Sequence, residues 1–487
     1  MDYQLLFSRF AALPAHAPWS RQRQLHECLR SAIRNGTLSA GARLPATRTL
    51  AQELGVSRNT VLYAYDQLST EGFVQPGQRG TVVAGLAARV APPAAPGHSP
   101  LRASLSRRAQ SVPTRDAPET PAAFAPGVPA LKEFPVTLWR RLLDRAWRSL
   151  RTEQLNYAPH HGEPALREAI ANHLRVARGA RLEASQVFIT DGTQGSLALC
   201  AQAFADAGDK VWIESPGYQG ALAAFKAAQL KPVGMVVDDE GMAPTAADWQ
   251  RHPPKLIYVT PSHQYPTGSV LSLPRRLDLI AHARAAQALI IEDDYDSEFR
   301  HDGPPLSCMQ GLEADAPVLY LGTFSKTMFP ALRLGFVVVP AVWVAPLSAM
   351  LSRTAPRGRA ADQLALAEFM QSGQFSLHLR RMRRLYRQRR DALVAALEQQ
   401  LGDVAAVHGG SAGIHLALRL RDPHADDAAM SQQLRALGIV APALSTQAVG
   451  QRVQPWRGFL LGYAQVQVEQ MPALVATLAG VVKRARA

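Results

Sequence analysis

Cysteine is nearly absent: the 487 residues hold three, Cys28, Cys200 and Cys308. They stand far apart and without metal-ligand spacing, so neither a disulfide framework nor a zinc site is expected, and reduced thiols suit a reducing cytosol. There is no run of ~20 apolar residues and no basic-then-apolar N-terminal leader, so neither a membrane span nor a secretory signal is expected, which places the chain in the cytoplasm. Negative charge is also short. Against 53 Lys and Arg there are 39 Asp and Glu, a formal net charge of +14 at pH 7, which favours contact with a polyanion while saying nothing of fold. What the chain does have is apolar content, 47% of its residues, enough at ~100–200 residues per domain for two or three cores.

Residues 13–84 read as three short helices and a hairpin. Ser20 caps a helix whose Leu25, Cys28, Leu29, Ala32 and Ile33 follow the three-four spacing of one buried face, and Asn35-Gly36 closes it. After Gly41-Ala42-Arg43-Leu44-Pro45 a second helix carries Leu50, Ala51 and Leu54 and stops at Gly55; Ser57 then caps a third, which buries Val61, Ala64, Tyr65 and Leu68. Burying that stripe leaves Arg58, Asn59 and Thr60 at the exposed first turn, where a recognition helix offers side chains to the major groove and amides to phosphate. Gly72 turns the chain into Phe73-Val74, and Pro76-Gly77-Gln78-Arg79-Gly80 makes a basic hairpin tip before Thr81-Val82-Val83, as suits a wing.

This stretch resembles the GntR-type winged helix-turn-helix, through Arg43-Leu44-Pro45-Ala46-Thr47-Arg48, Leu50-Ala51, Val56-Ser57-Arg58-Asn59-Thr60-Val61 and the Leu68, Glu71, Gly72 spacing. The resemblance implies that Arg43, Arg48, Arg58 and Thr60 contact double-stranded operator DNA, with Gly80 at the wing. Ala46 departs from the serine usual there, which weakens one cap and phosphate contact but not the motif. Residues 85–121 are Ala/Pro/Ser-rich, with scattered Arg89, Arg102, Arg107, Arg108 and Arg115 and no apolar period. They are expected to be a flexible linker able to span roughly several tens of ångströms.

From residue 122 to 487 helical stretches alternate with short apolar runs: Val187-Phe188-Ile189-Thr190, Val211-Trp212-Ile213, Leu256-Ile257-Tyr258-Val259, Leu289-Ile290-Ile291 and Leu319-Tyr320-Leu321. Such runs predict buried strands of a mainly parallel sheet wrapped by helices, whose ligands bind at the carboxyl ends of the strands. The chemistry-bearing residues stand at those ends. Lys326 is an amine able to form a Schiff base with an aldehyde cofactor; Asp293 is an acid able to keep a ring nitrogen protonated; Arg333 suits a phosphate. Gly192-Thr193 opens a helix whose free amides suit the same phosphate, helped by the Thr323 hydroxyl; Tyr218 can stack on a ring and Tyr295 can hydrogen-bond a phenolic oxygen. Together they describe a pyridoxal 5'-phosphate site.

These stretches resemble the fold-type I aminotransferases, with large and small subdomains, the small one from about residue 346 to 487. Joined to the winged helix they resemble the MocR/GabR-type transcriptional regulators across nearly the whole chain. Further matching stretches are Tyr157 to Arg167, Pro216-Gly217-Tyr218, His263-Gln264-Tyr265-Pro266-Thr267-Gly268 and Ile291 to Phe299. The resemblance implies that Tyr157 reaches the partner subunit's cofactor phosphate, hence a homodimer, head-to-tail.

Three departures bear on catalysis. Tyr265 stands where aminotransferases usually place an asparagine, and Leu460 fills the place of the arginine that takes the substrate carboxylate. Gly220 stands where the GABA-sensing regulator has a carboxylate-binding arginine. The run from Arg380 to Arg390 is read as the solvated side of a helix rather than a second DNA surface, since Leu379, Met382, Leu385 and Tyr386 give it an apolar stripe. The reading is thus a transcription regulator sensing an amine, an amino acid or the cofactor itself, with residual or half-reaction transamination at most. The alternatives are an aminotransferase with an accessory DNA-binding domain, needing a carboxylate anchor such as Arg457, and a DNA-bridging dimer with a vestigial pocket.

Overall fold

In the computed structural model, which describes residues 1–77, 80–85, 105–110, 122–156, 159–303, 306–354, 358–450 and 456–485, the contacts fall into two units, Met1–Ser104 and Leu105–Ala487. The first begins earlier than residue 13. Asp2 caps helix α1 (Tyr3–Ala11), whose Tyr3 and Phe7 are buried in the same core as Leu25, Leu29, Leu50, Val61 and Leu68. Sequence reading passed over α1 because nine residues carry only two turns of pattern. Ser20 caps α2 (Arg21–Arg34), Gly55 ends α3 (Thr47–Leu54) in the left-handed region, and Ser57 caps α4 (Arg58–Thr70) by accepting from the Thr60 amide at 3.1 Å. Ala46, at the start of α3, supplies no side-chain cap.

Strands β1 (Val74–Gly77) and β2 (Gly80–Val83) pair antiparallel, and Gln78 and Arg79 of the hairpin tip lie outside the described residues. Of the expected linker, residues 86–104 and 111–121 also lie outside them; between these stretches Arg107–Gln110 forms one helical turn.

The second unit is built on an eight-stranded sheet. Its strands are β3 (Val187–Thr190), β4 (Lys210–Ser215), β5 (Lys231–Asp238), β6 (Gly241–Met242), β7 (Leu256–Val259), β8 (Leu289–Asp294), β9 (Val318–Thr323) and β10 (Gly335–Val338), in the spatial order β3-β10-β9-β8-β7-β4-β5-β6. The five apolar runs are β3, β4, β7, β8 and β9. The pairs β9-β8, β8-β7, β7-β4 and β4-β5 are parallel; β10 is antiparallel to both neighbours and β6 to β5. Both faces are covered, which is why the runs are continuously apolar. Val211, Ile213, Leu256 and Tyr258 pack into one cluster, while Trp212, Ile257 and Val259 point into another on the opposite face.

A second sheet, β11 (Ala405–His408), β12 (His415–Leu420) and β13 (Gly458–Gly462), is antiparallel throughout. The expected start of the small subdomain, about residue 346, falls inside the helix Ala341–Thr354, whose Leu347 and Leu351 are buried on the large sheet. The basic run lies in the helix Gln374–Leu401, and its arginines are not simply solvated. Arg381 bonds Glu133 at 2.8 Å, Arg383 the Glu298 carbonyl at 2.5 Å and Arg390 both Asp302 and the Gly410 carbonyl at 2.7 Å; Arg387 and Arg389 bond the carbonyls of His301 and Ala464. Those contacts knit the body together. Among the described residues no helix is long and apolar enough to cross a membrane.

Candidate functional site

Two surfaces carry the candidate residues, one in each unit. In the first, Arg43, Arg48, Arg58 and Gly80 are exposed. Arg43 bridges Val82, and the Leu44 amide bonds the Thr81 carbonyl at 2.9 Å, so the residues before α3 extend the hairpin sheet. Tyr65 ties α4 to this segment by donating to the Pro45 carbonyl at 2.8 Å. Arg58 opens α4 with its side chain outward. Thr60 corrects the expectation of an exposed first turn: it is buried, its hydroxyl 2.9 Å from that of Ser57, because the cap draws it inward.

In the second unit the pocket residues leave the strand ends. Gly192, φ +77°, opens the helix Gly192–Phe204 directly after β3, and Thr193 lies in the same first turn. A Cβ on Gly192 would come 3.8 Å from the Arg333 guanidinium carbon, so the glycine leaves that side open. Arg333 donates to the Asp191 carbonyl at 2.9 Å; Arg359, which sequence reading missed, bonds the Asp191 carboxylate and the Arg333 carbonyl, each at 2.7 Å. No motif marks Arg359; only the fold brings it beside Arg333. Thr323, buried at the end of β9, accepts from the Ser325 amide at 3.2 Å.

Asp293 is buried at the end of β8. Its Oδ2 accepts from Tyr258 at 2.8 Å, while Oδ1 is buried without a hydrogen-bond partner among the described residues. Burial pushes its carboxyl up to about 7, against the opposing pull of Tyr258 and Lys326. Lys326 donates from Nζ to the Gly127 carbonyl at 2.6 Å. Tyr218 lies edge-on to Tyr265, ring centroids 5.4 Å apart. A Cβ on Gly220 would stand 2.4 Å from the Tyr218 ring, so an arginine there would displace that ring. The Tyr295 hydroxyl, expected to meet a phenolic oxygen, here donates to the His263 carbonyl at 2.9 Å. Beneath the loops, buried Glu214 accepts from Thr260 Oγ1 at 2.7 Å and Gln264 Nε2 at 3.3 Å, and burial raises its carboxyl to about 7.

The model of the bacterial regulatory proteins of the gntR family matches residues 21–83, and that of aminotransferase class I and II matches residues 130–474. The probable rhizopine catabolism regulatory protein MocR of Rhizobium meliloti is 38% identical over 477 residues, 96% of this chain and 93% of that protein. The chain belongs to the MocR-type regulators of the gntR family. The pyridoxine biosynthesis transcriptional regulator PdxR of Corynebacterium glutamicum is 33% identical, covering 85% of this MocR-type chain and 86% of that protein. Among solved structures, the multiple substrate aminotransferase of Thermococcus profundus superposes with a TM-score of 0.70 at 24% identity, over 78% of this chain and 98% of that one, which bears on the fold. The expected combination of a winged helix-turn-helix with a fold-type I aminotransferase domain is thereby shown.

Within this MocR-type body Leu460, the residue expected in place of a carboxylate arginine, has apolar surroundings. Leu460 is buried with Ala417, Leu444 and Trp456, and Tyr265 packs against them. Arg457 is turned to Asp427, 3.5 Å away. Tyr157 lies outside the described residues.

Proposed function

We propose that this chain is a DNA-binding transcription regulator that holds pyridoxal 5'-phosphate and senses an amine, an amino acid or the cofactor itself. The observation that carries the reading is Asp293, a fully buried carboxylate with an unpartnered oxygen, electrostatically coupled to Lys326. An orphaned buried oxygen is costly unless a cationic N–H comes to it, and a protonated pyridine nitrogen is such a group. Gly192, Thr193, Thr323 and Arg333 would hold the phosphate, Tyr218 would lie against the ring, and Tyr157 would reach across from the partner subunit of a head-to-tail dimer. Pyridoxal phosphate supplies an aldehyde on which an amine condenses and a ring that withdraws electrons. Lys326, whose amine here donates to the Gly127 carbonyl, would hold that aldehyde. The differential affinity of two body conformations for the effector would then set how the tethered readers meet a cytoplasmic operator.

The PdxR relative's connection with pyridoxine biosynthesis supports the cofactor itself as one effector. Sustained transamination is disfavoured by the apolar wall at Leu460 and the pairing of Arg457 with Asp427. Lys326→Ala is expected to lose the visible absorbance of lysine-bound cofactor and the response to amines while the fold and basal operator binding persist. An unchanged spectrum in that variant would overturn the reading.

A further inference from the structure

His415 has no part in the site described above, yet the fold sets it against Tyr295 and within electrostatic reach of Lys326. It opens β12 directly opposite Gly462 of β13. The Gly462 amide donates to the Phe124 carbonyl at 2.8 Å, and a Cβ on Gly462 would meet the Ala125 carbonyl oxygen at 2.4 Å. Two residues on, the Gly127 carbonyl accepts from Lys326. The strap 124–127 thus runs from the strand partner of His415 to the reactive lysine. Strand alternation places His415 on the face of Ala417, whose partner is Leu460, the residue standing where an arginine would take a carboxylate.

The imidazole lies parallel to Tyr295, centroids 6.2 Å apart, and edge-on to Tyr265 at 5.4 Å. It is 1% exposed, and its Nε2 has no hydrogen-bond partner among the described residues. Nδ1 stands 3.9 Å from Asp296 Oδ2. Burial first, and then the nearness of His263 and Lys326, holds this ring well below the usual histidine range, so it is neutral. The Asp296 carboxylate, too far for a hydrogen bond but close enough to attract an N–H, assigns the proton to Nδ1, so that Nε2 presents a lone pair.

The ligand atoms of His263, Asp296 and His415 lie within 4.8 Å of one another, but a metal ion is not what they suit. His263 Nδ1 is 3.1 and 3.2 Å from the two Asp296 oxygens and its Nε2 is 3.2 Å from the Gly409 carbonyl. Both its nitrogens face acceptors, so His263 and Asp296 satisfy each other and leave His415 alone with an unfilled acceptor. A buried acceptor without a donor favours any ligand that brings one.

Resting on the amine-sensor reading, we infer that His415 is a specificity-determining residue, and that the amine it selects carries a second, uncharged hydrogen-bond donor, a hydroxyl or its equivalent. Leu460 supplies no charge for a carboxylate at that wall, and His415 supplies an acceptor in its stead. A donor lost from such a site costs more affinity than a methyl group of equal size regains.

The test uses the full chain loaded with pyridoxal phosphate and follows its visible absorbance while matched pairs are added: ethanolamine and ethylamine, L-serine and L-alanine, L-threonine and L-aminobutyrate. Wild type is expected to bind the hydroxyl member of at least one pair about tenfold more tightly, the size one hydrogen bond supports. His415→Phe should keep affinity for the deoxy member and lose the preference; His415→Gln, which retains an acceptor oxygen, should keep part of it. In wild type, the His415 nitrogen resonance should shift with the hydroxyl amine alone, a readout independent of whether the phenylalanine variant folds. Amines that bind with no such preference, or with the same preference in His415→Phe, overturn the assignment of His415 and leave the sensor reading intact. A cofactor-loaded protein whose spectrum no amine or amino acid alters overturns both.

Discussion

Asp293 shows how one residue's surroundings set its behaviour. A carboxyl driven up to about 7 by burial holds its proton more tightly in the folded chain than in the unfolded one. Without cofactor, its contribution to stability is therefore greatest below the unfolded carboxylate pKa and is lost as pH rises through about 7. Asp293→Asn removes that titration. In the cofactor-free protein, the melting temperature of the variant should gain on wild type as pH is raised from acid to neutral, and loading the cofactor should reverse the gain by giving wild type a cationic partner. A constant difference across that range would show Asp293 to be less confined than its burial implies. At the reader, Arg58→Ala should remove a contact worth ~1–3 kcal/mol and weaken operator binding about ten- to a hundred-fold. Arg384, exposed on the helix Gln374–Leu401, should tolerate alanine with little change in gel-shift affinity.

At the scale of elements, the caps and the strap decide most. Ser57 closes the start of α4 and holds Thr60 inward, so Ser57→Ala should destabilise the reader by ~1 kcal/mol in urea unfolding. The strap 124–127 is pinned where Phe124 and Ala125 cross Gly462, and a side chain there has no room. Gly462→Ala should push the strap off Lys326, leaving operator binding intact while weakening its response to effector; a full response would show that strap and lysine act separately. The element least legible in advance is the basic helix Gln374–Leu401. Its apolar stripe of Leu379, Met382 and Tyr386 was plain from spacing, but the carbonyls and carboxylates its arginines bond come from residues near 133, 298 to 302, 410 and 464, which spacing cannot bring together.

For the whole molecule, the proposed dimer would carry two readers and should need two half-sites for full affinity, because the second contact is then made within one complex rather than from solution. An operator reduced to one half-site is expected to bind at least about tenfold more weakly at fixed salt. Equal affinity for one site and two would point to a single working reader.

The order of the chain was enough for much of this protein. Caps at Ser20 and Ser57, turns at Gly55 and Gly72, and continuous apolar runs ending in Gly192, Asp293 and Lys326 are local patterns, governed by neighbours within a turn or a strand. The same locality explains why α1, Arg359 and His415 went unseen, as did the inward turn of Thr60 and the engaged hydroxyl of Tyr295. Each depends on a contact with a distant or capping residue: Phe7 with the reader's core, Arg359 with Asp191, Tyr295 with His263, His415 with Asp296 and the strand partner of the strap. Chemistry of residue type is written along the chain, but which buried atom is left without a partner is decided only when separate strands close around it.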